Sequence, residues 1–258
     1  TEPPEPEPPL PQSEVYCDGR LATIVGTDGS DVLTGTDGSD VIAALGGNDI
    51  IDGGGGDDVI CGGSGDDDVE AGDGDDRVFG QAGVDTIDGG PGDDLIKGNR
   101  GSDYLFGSGG DDLLVGGAGN DRLHPGEDAD VSKGGSGNDR FFAAGGVNQL
   151  KGGRGKDIVD YRDAGVGAFV DLDMGSGRAE GLDGLKSIER VYGTKYDDLL
   201  VGNDRGNVLK GREGDDRLRG SGGDDRLVGG PGLDDLSGGD GDDWCSGDTL
   251  TGCESGPA

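Results

Sequence analysis

An aspartate recurs every nine residues along most of this chain, and carboxylates at a fixed spacing are candidate ligands. In units counted as 26–34, 35–43 and onward, the sixth position is Asp in nineteen of twenty-one, with Asn148 and Asn207 the exceptions. The fourth position is Gly in eighteen, failing at Asp128, Tyr196 and Arg205, and the eighth is Leu, Ile, Val or Phe in nineteen, failing at Ser132 and Cys245. One phase holds for fifteen units over 26–160, and a second holds for six over 193–246. Three positions keeping one phase this long describe a repeated physical object rather than a biased composition.

Each unit divides into a turn and a short strand. Glycines at positions one, two and four permit positive φ and a tight curve whose carbonyls can converge. The residues after the Asp, such as Val32-Leu33-Thr34, favour extended backbone with one apolar side chain on one face. A single strand cannot bury that residue, so copies must stack. Two units per coil predict two parallel sheets, with Leu33, Ile51, Val69, Ile87, Leu105 and Leu123 laddered in one and Ile42, Ile60, Val78, Ile96 and Leu114 in the other. A helical reading fails on 61 Gly and the lack of any i, i+3, i+4 pattern.

Stacking sets aspartates such as Asp31 and Asp49, or Asp40 and Asp58, about 4.8 Å apart. Such rows repel unless a positive charge lies between them. The 21 Lys and Arg cannot supply it against 55 Asp and Glu, a net charge of −34. A hard divalent cation that takes six or more oxygens can, and Ca²⁺ suits an irregular oxygen cage better than Mg²⁺. With no thiolate cluster and no histidine beyond His124, Zn²⁺ and Cu²⁺ are disfavoured.

These units resemble the haemolysin-type, or repeats-in-toxin, calcium-binding nonapeptide G-G-x-G-x-D-x-U-x. The closest copies begin at Gly53, Gly89 and Gly116 (GGGGDDVI, GGPGDDLI and GGAGNDRL). The resemblance implies an all-β fold, a right-handed parallel β-roll in secreted bacterial proteins, with calcium between turns two units apart. One ion would then take the Gly54 and Gly56 carbonyls with Asp58, and the Ala71 and Asp73 carbonyls with Asp76. The implied ligands are Asp31, Asp40, Asp49, Asp58, Asp67, Asp76, Asp85, Asp94, Asp103, Asp112, Asp121, Asp139 and Asp157 in the first array. Asp198, Asp216, Asp225, Asp234 and Asp243 follow in the second. Pairs with Asp at both ends number 15, and fifteen Ca²⁺ would bring −34 to about −4. Around 125–133, where Asp128 replaces Gly and Ser132 the apolar residue, a distorted or missing site is expected, as at Asn148 and Asn207.

The remaining segments are read as parts of a single β-roll domain over 15–258. Residues 1–14, rich in Pro and Glu, read as a disordered leader. Residues 161–192 break the repeat, but 166–172 and 185–192 are strand-like, so wider coils continuing the solenoid are expected. Residues 247–258 form a C-terminal cap. The four cysteines sit near the ends. About ten coils at about 4.8 Å separate those ends by roughly 50 Å, whereas a disulfide needs Cα atoms within about 7 Å. Only Cys17–Cys61 and Cys245–Cys253 are then feasible, and paired cysteines point to an oxidising, extracellular compartment. No apolar run near 18 residues is present. Members of the family exported by an uncleaved C-terminal signal carry a segment after the repeats, so export through a removed N-terminal signal is the expectation here.

No catalytic residues are expected. His124 stands alone at an outward ninth position and reads as a surface residue, and Trp244 reads as a cover for the last coil. There is no H-E-x-x-H or G-x-S-x-G, and the charge sign excludes nucleic acid. Two classes remain: a secreted structural or surface protein that folds on calcium, or an adhesion or self-assembly module whose outer faces bind glycan, cell wall or another copy. The ninth positions run Thr34, Ala43, Asp52, Cys61, Glu70, Phe79, which is no threonine ladder for ice.

Overall fold

Strands two units apart pair in parallel and in register, and the whole architecture follows from that. The computed structural model describes residues 14–143 and 145–253, and among them there is no helix, hence none long and apolar enough to cross a membrane. The leader expected over 1–14 lies outside the described residues except for Glu14, as do residues 254–258 of the expected cap. The chain alternates between a 12-stranded and a 15-stranded sheet, one unit to each. In the smaller sheet Leu33 pairs with Ile51, Ile51 with Val69, Val69 with Ile87 and Ile87 with Leu105. In the larger, Ile42, Ile60, Val78, Ile96 and Leu114 line up likewise. These eighth-position side chains face each other between the sheets and are almost wholly buried from Ile42 to Leu236. That burial is the apolar driving force each short strand lacks alone.

The turns stack as regularly as the strands. The backbone N–H after one aspartate donates to the aspartate carbonyl of the coil before, as from Ile50 to Asp31 (3.0 Å) and Thr86 to Asp67 (2.8 Å). From Gly47 onward the fourth-position glycines take positive φ, and Asp128 adopts it too (φ 76°), whereas Gly29 and Gly38 of the first two units do not. In the turn over 125–133 the smaller-sheet pairing stops at His124, and the cross-turn bond at Gly110 is missing, but Val131–Ser136 pairs normally on both sides.

The segment 161–192 carries both sheets through. Val191 continues the ladder of Val159, and Leu185 that of Leu150. Between them Phe169–Asp171 and Ser176–Arg178 form an antiparallel excursion that returns to parallel pairing at Leu199–Val201. Tyr161 is fully buried there and donates its hydroxyl to Asp183 Oδ2 at 2.7 Å.

Both ends extend past the nonapeptide register. Ile24–Val25 pairs with Val41–Ala43 before the first unit, and Thr249–Thr251 adds a rung on Asp235–Asp240 after the last. The disulfides are Cys17–Cys61 and Cys245–Cys253. Trp244 does not cover the end of the stack: it lies on the outer face of the last strand of the smaller sheet, where the Arg226 guanidinium sits 4.4 Å from its ring centroid. As a seventh-position residue it alternates away from the core.

Ser132 stands in the core ladder between Leu114 and Leu150, fully buried, with its hydroxyl unpartnered. A buried hydroxyl without a partner costs about 1–3 kcal/mol. Ser132→Ala removes it without adding volume, so thermal unfolding of the calcium-loaded chain should shift upward; an unchanged or lower midpoint would contradict this.

Candidate metal centres

Each turn places its sixth-position carboxylate at the seam with the next coil, and its two oxygens meet different fates. One is taken: Asp58 N–H donates to Asp76 Oδ1 at 2.7 Å, Asp76 N–H to Asp94 Oδ1 at 2.8 Å, and Asp94 N–H to Asp112 Oδ1 at 2.9 Å. The other is left alone. Among the described residues, sixteen aspartate Oδ2 atoms are buried with no hydrogen-bond partner, from Asp49 to Asp243. A buried charged oxygen without a partner is strongly unfavourable, and this many in two rows point to a positively charged occupant.

The backbone supplies the remaining oxygens. A Cβ on Gly53 would strike both Asp58 Oδ2 and the Ala71 carbonyl, so oxygens from two successive coils face one space. A Cβ on Gly74 would sit 2.6 Å from the Gly56 carbonyl, which points across the same seam. The Gly54 and Asp73 carbonyls also lie on it, accepting cross-turn bonds from Asp73 N–H (3.2 Å) and Gly56 N–H (2.7 Å). Among the described residues no three His, Cys, Asp or Glu side chains converge. Each seam therefore offers two carboxylates with backbone carbonyls, an all-oxygen set suited to a hard ion of flexible geometry.

The RTX calcium-binding nonapeptide repeat matches residues 25–60, 62–96, 88–123, 97–132, 124–159, 192–227 and 219–249, well over half of the chain. The chain belongs to the RTX calcium-binding repeat family. No curated protein matches it. Such repeats bind Ca²⁺ at multiple sites, and the ion supplies the positive charge that the paired carboxylates lack.

Within this RTX array the structure separates the aspartates that the nonapeptide treats alike. Asp31, Asp40 and Asp198 leave no buried oxygen orphaned. A threonine at position two closes on each: Thr27 N–H to Asp31 Oδ2 at 2.6 Å, Thr36 N–H to Asp40 Oδ2 at 2.8 Å and Thr194 N–H to Asp198 Oδ2 at 2.8 Å, each backed by the threonine hydroxyl. These are the first units of the two arrays. Asp130, omitted by the sequence reading, has the full arrangement: Oδ1 accepts Asp112 N–H at 2.9 Å and Oδ2 is orphaned. The two asparagines satisfy themselves. Asn148 Nδ2 donates to the Gly145 carbonyl (2.8 Å), and Asn207 Oδ1 accepts Asn203 N–H (2.8 Å).

Position along the row sets the electrostatics. Burial pushes Asp85 up to about 7, reinforced by Asp103 and Asp67, although the Asp67 N–H bond pulls the other way. Burial and the Asp112 and Asp76 carboxylates push Asp94 up to about 8. Asp67, Asp130 and Asp139 are raised to about 6 for the same first cause. At the exposed first turns the Thr36 hydroxyl instead holds Asp40 below its ordinary value.

These raised values fix a sign. The folded chain without metal retains protons that the unfolded chain releases near pH 4, so its stability is greatest below that pH and falls as pH rises through 6 to 8. In excess EGTA, far-UV circular dichroism should show more β-structure at pH 4 than at pH 8, and calcium binding at pH 7 should release protons. A metal-free β-signal that grows with pH would contradict the assignment.

Proposed function

We propose that this chain is a secreted, non-enzymatic structural module whose β-roll forms in the extracellular space when it binds about fifteen Ca²⁺. The observation that carries this reading is the double row of buried, unpartnered Oδ2 atoms. Twelve of the fifteen register pairs begin on such an oxygen; Asp130, Asp157, Asp234 and Asp243, which only end pairs, are orphaned too, and the threonine-closed turns contribute none. A net charge of −34 with only 30% hydrophobic residues favours an expanded chain where calcium is scarce. Binding then carries the folding free energy, at roughly 10⁻⁴–10⁻³ M calcium as in extracellular modules. Two disulfides near the ends suit the same oxidising compartment. At pH 7.5 far-UV circular dichroism should show little β-signal in EGTA and a cooperative gain on calcium titration. Full β-structure in EGTA at that pH would sink the proposal.

A second reading has its own support on the outer face of the smaller sheet. Phe106, His124 and Phe142, on consecutive rungs, stack with ring centroids 4.6 and 3.9 Å apart. His124 is thus a packed residue rather than an isolated surface one, and burial pushes its imidazole below the ordinary value. Arg122 lies over Tyr104, Arg140 over Phe142 and Tyr192, and Lys210 over Tyr192, at 4.5–5.3 Å. Aromatic rings with cations on a strongly acidic chain suit an anionic polysaccharide, sugar rings on the aromatics and acid groups on the arginines. Calcium-loaded chain should retain dextran sulfate over neutral dextran. Arg122→Ala with Arg140→Ala should weaken that retention at least several-fold, whereas Lys133→Ala and Lys151→Ala on the opposite sheet should not. Equal loss from both pairs would reduce the effect to net charge.

A further inference from the structure

The nonapeptide match stops at residue 159 and resumes at 192, but the carboxylate row of the smaller sheet does not stop. Glu189 takes the rung after Asp157. Its Oε2 accepts Asp157 N–H at 2.9 Å, as Asp157 Oδ1 accepts Asp139 N–H at 2.9 Å. Arg190 then pairs with Ile158 where the next strand begins.

The space between these two acids has the features of a regular seam. Asp157 is fully buried and its Oδ2 has no partner. A Cβ on Gly152 would strike both that oxygen and the Ser187 carbonyl, as one on Gly53 would strike Asp58 Oδ2 and the Ala71 carbonyl. Gly153 and Gly155 keep the positive φ of a regular turn. The far side differs: only Ser187, Ile188 and Glu189 bridge from the carbonyl to the carboxylate, where a regular unit uses six residues. Ser187 takes positive φ (53°) to make this shortcut, and glutamate carries one methylene more than the aspartate it replaces. The neighbouring Arg190 guanidinium makes no ion pair among the described residues.

We propose that Asp157, the Ser187 carbonyl and Glu189 form a calcium site outside the nonapeptide register, through which the first array's row of ions continues into the 161–192 segment. The proposal rests on the calcium reading of the regular turns, and its test separates the two. Crystals of the full chain grown with calcium should show an anomalous peak between Asp157 and Glu189 as well as between Asp85 and Asp103. A peak at Asp85–Asp103 with none at Asp157–Glu189 overturns this site alone, and no peak at either overturns the calcium reading itself. In solution, Glu189→Gln should lower the bound calcium by one ion. Asp157→Asn, which removes a ligand from the seams on both sides, should lower it by two. Losses of none and one would mean that the row ends at Asp157 and that Arg190 or a proton answers its charge.

Discussion

The structure depends on a carboxylate oxygen that the protein itself does not satisfy. Each regular coil buries an aspartate whose Oδ1 is tied to the backbone of the preceding coil and whose Oδ2 is left facing the seam. Repeated about every 4.8 Å along two rows, this is a repulsive arrangement that apolar burial through one side chain per strand is poorly placed to overcome. A divalent ion at the seam reverses the sign of the interaction. The turn geometry, the in-register pairing and the excess of negative charge are all consequences of holding oxygens around that ion.

Glycine follows from the same constraint. A side chain at position one would occupy the space that Asp Oδ2 and the next coil's carbonyl share. In the first units of each array, threonine at position two closes the turn on the aspartate with its own N–H and hydroxyl. The segment 161–192 obeys the same logic by other means: Tyr161 satisfies Asp183 with a hydroxyl, whereas Glu189 leaves Asp157 waiting for a charge.

Much of this was legible in the nine-residue period, because period two within a strand and eighteen between coils leave one choice of register. The apolar ladders and both cysteine pairings follow from it. What escaped was set by contacts the period does not encode. Asp128 and Ser132 break the pattern around Asp130, yet Asp128 adopts positive φ and Asp130 still presents its carboxylate to the row. The threonines at 27, 36 and 194 were visible, but their effect depends on a turn conformation that differs from the glycine one. Glu189 sits 32 residues after Asp157 rather than 18, and only strand pairing shows that they are neighbours. The stack of Phe106, His124 and Phe142 did lie in the sequence, eighteen residues apart at the ninth position.

The central claim is that the buried Oδ2 rows are answered by ions and not by protons. Calcium bound per chain, measured by equilibrium dialysis on the fully folded protein at pH 8 and saturating calcium, tests it most directly. The account predicts about fifteen ions, set by the carboxylate pairs along the two rows. A fully folded chain holding only a handful would mean that the rows are protonated, and would contradict it.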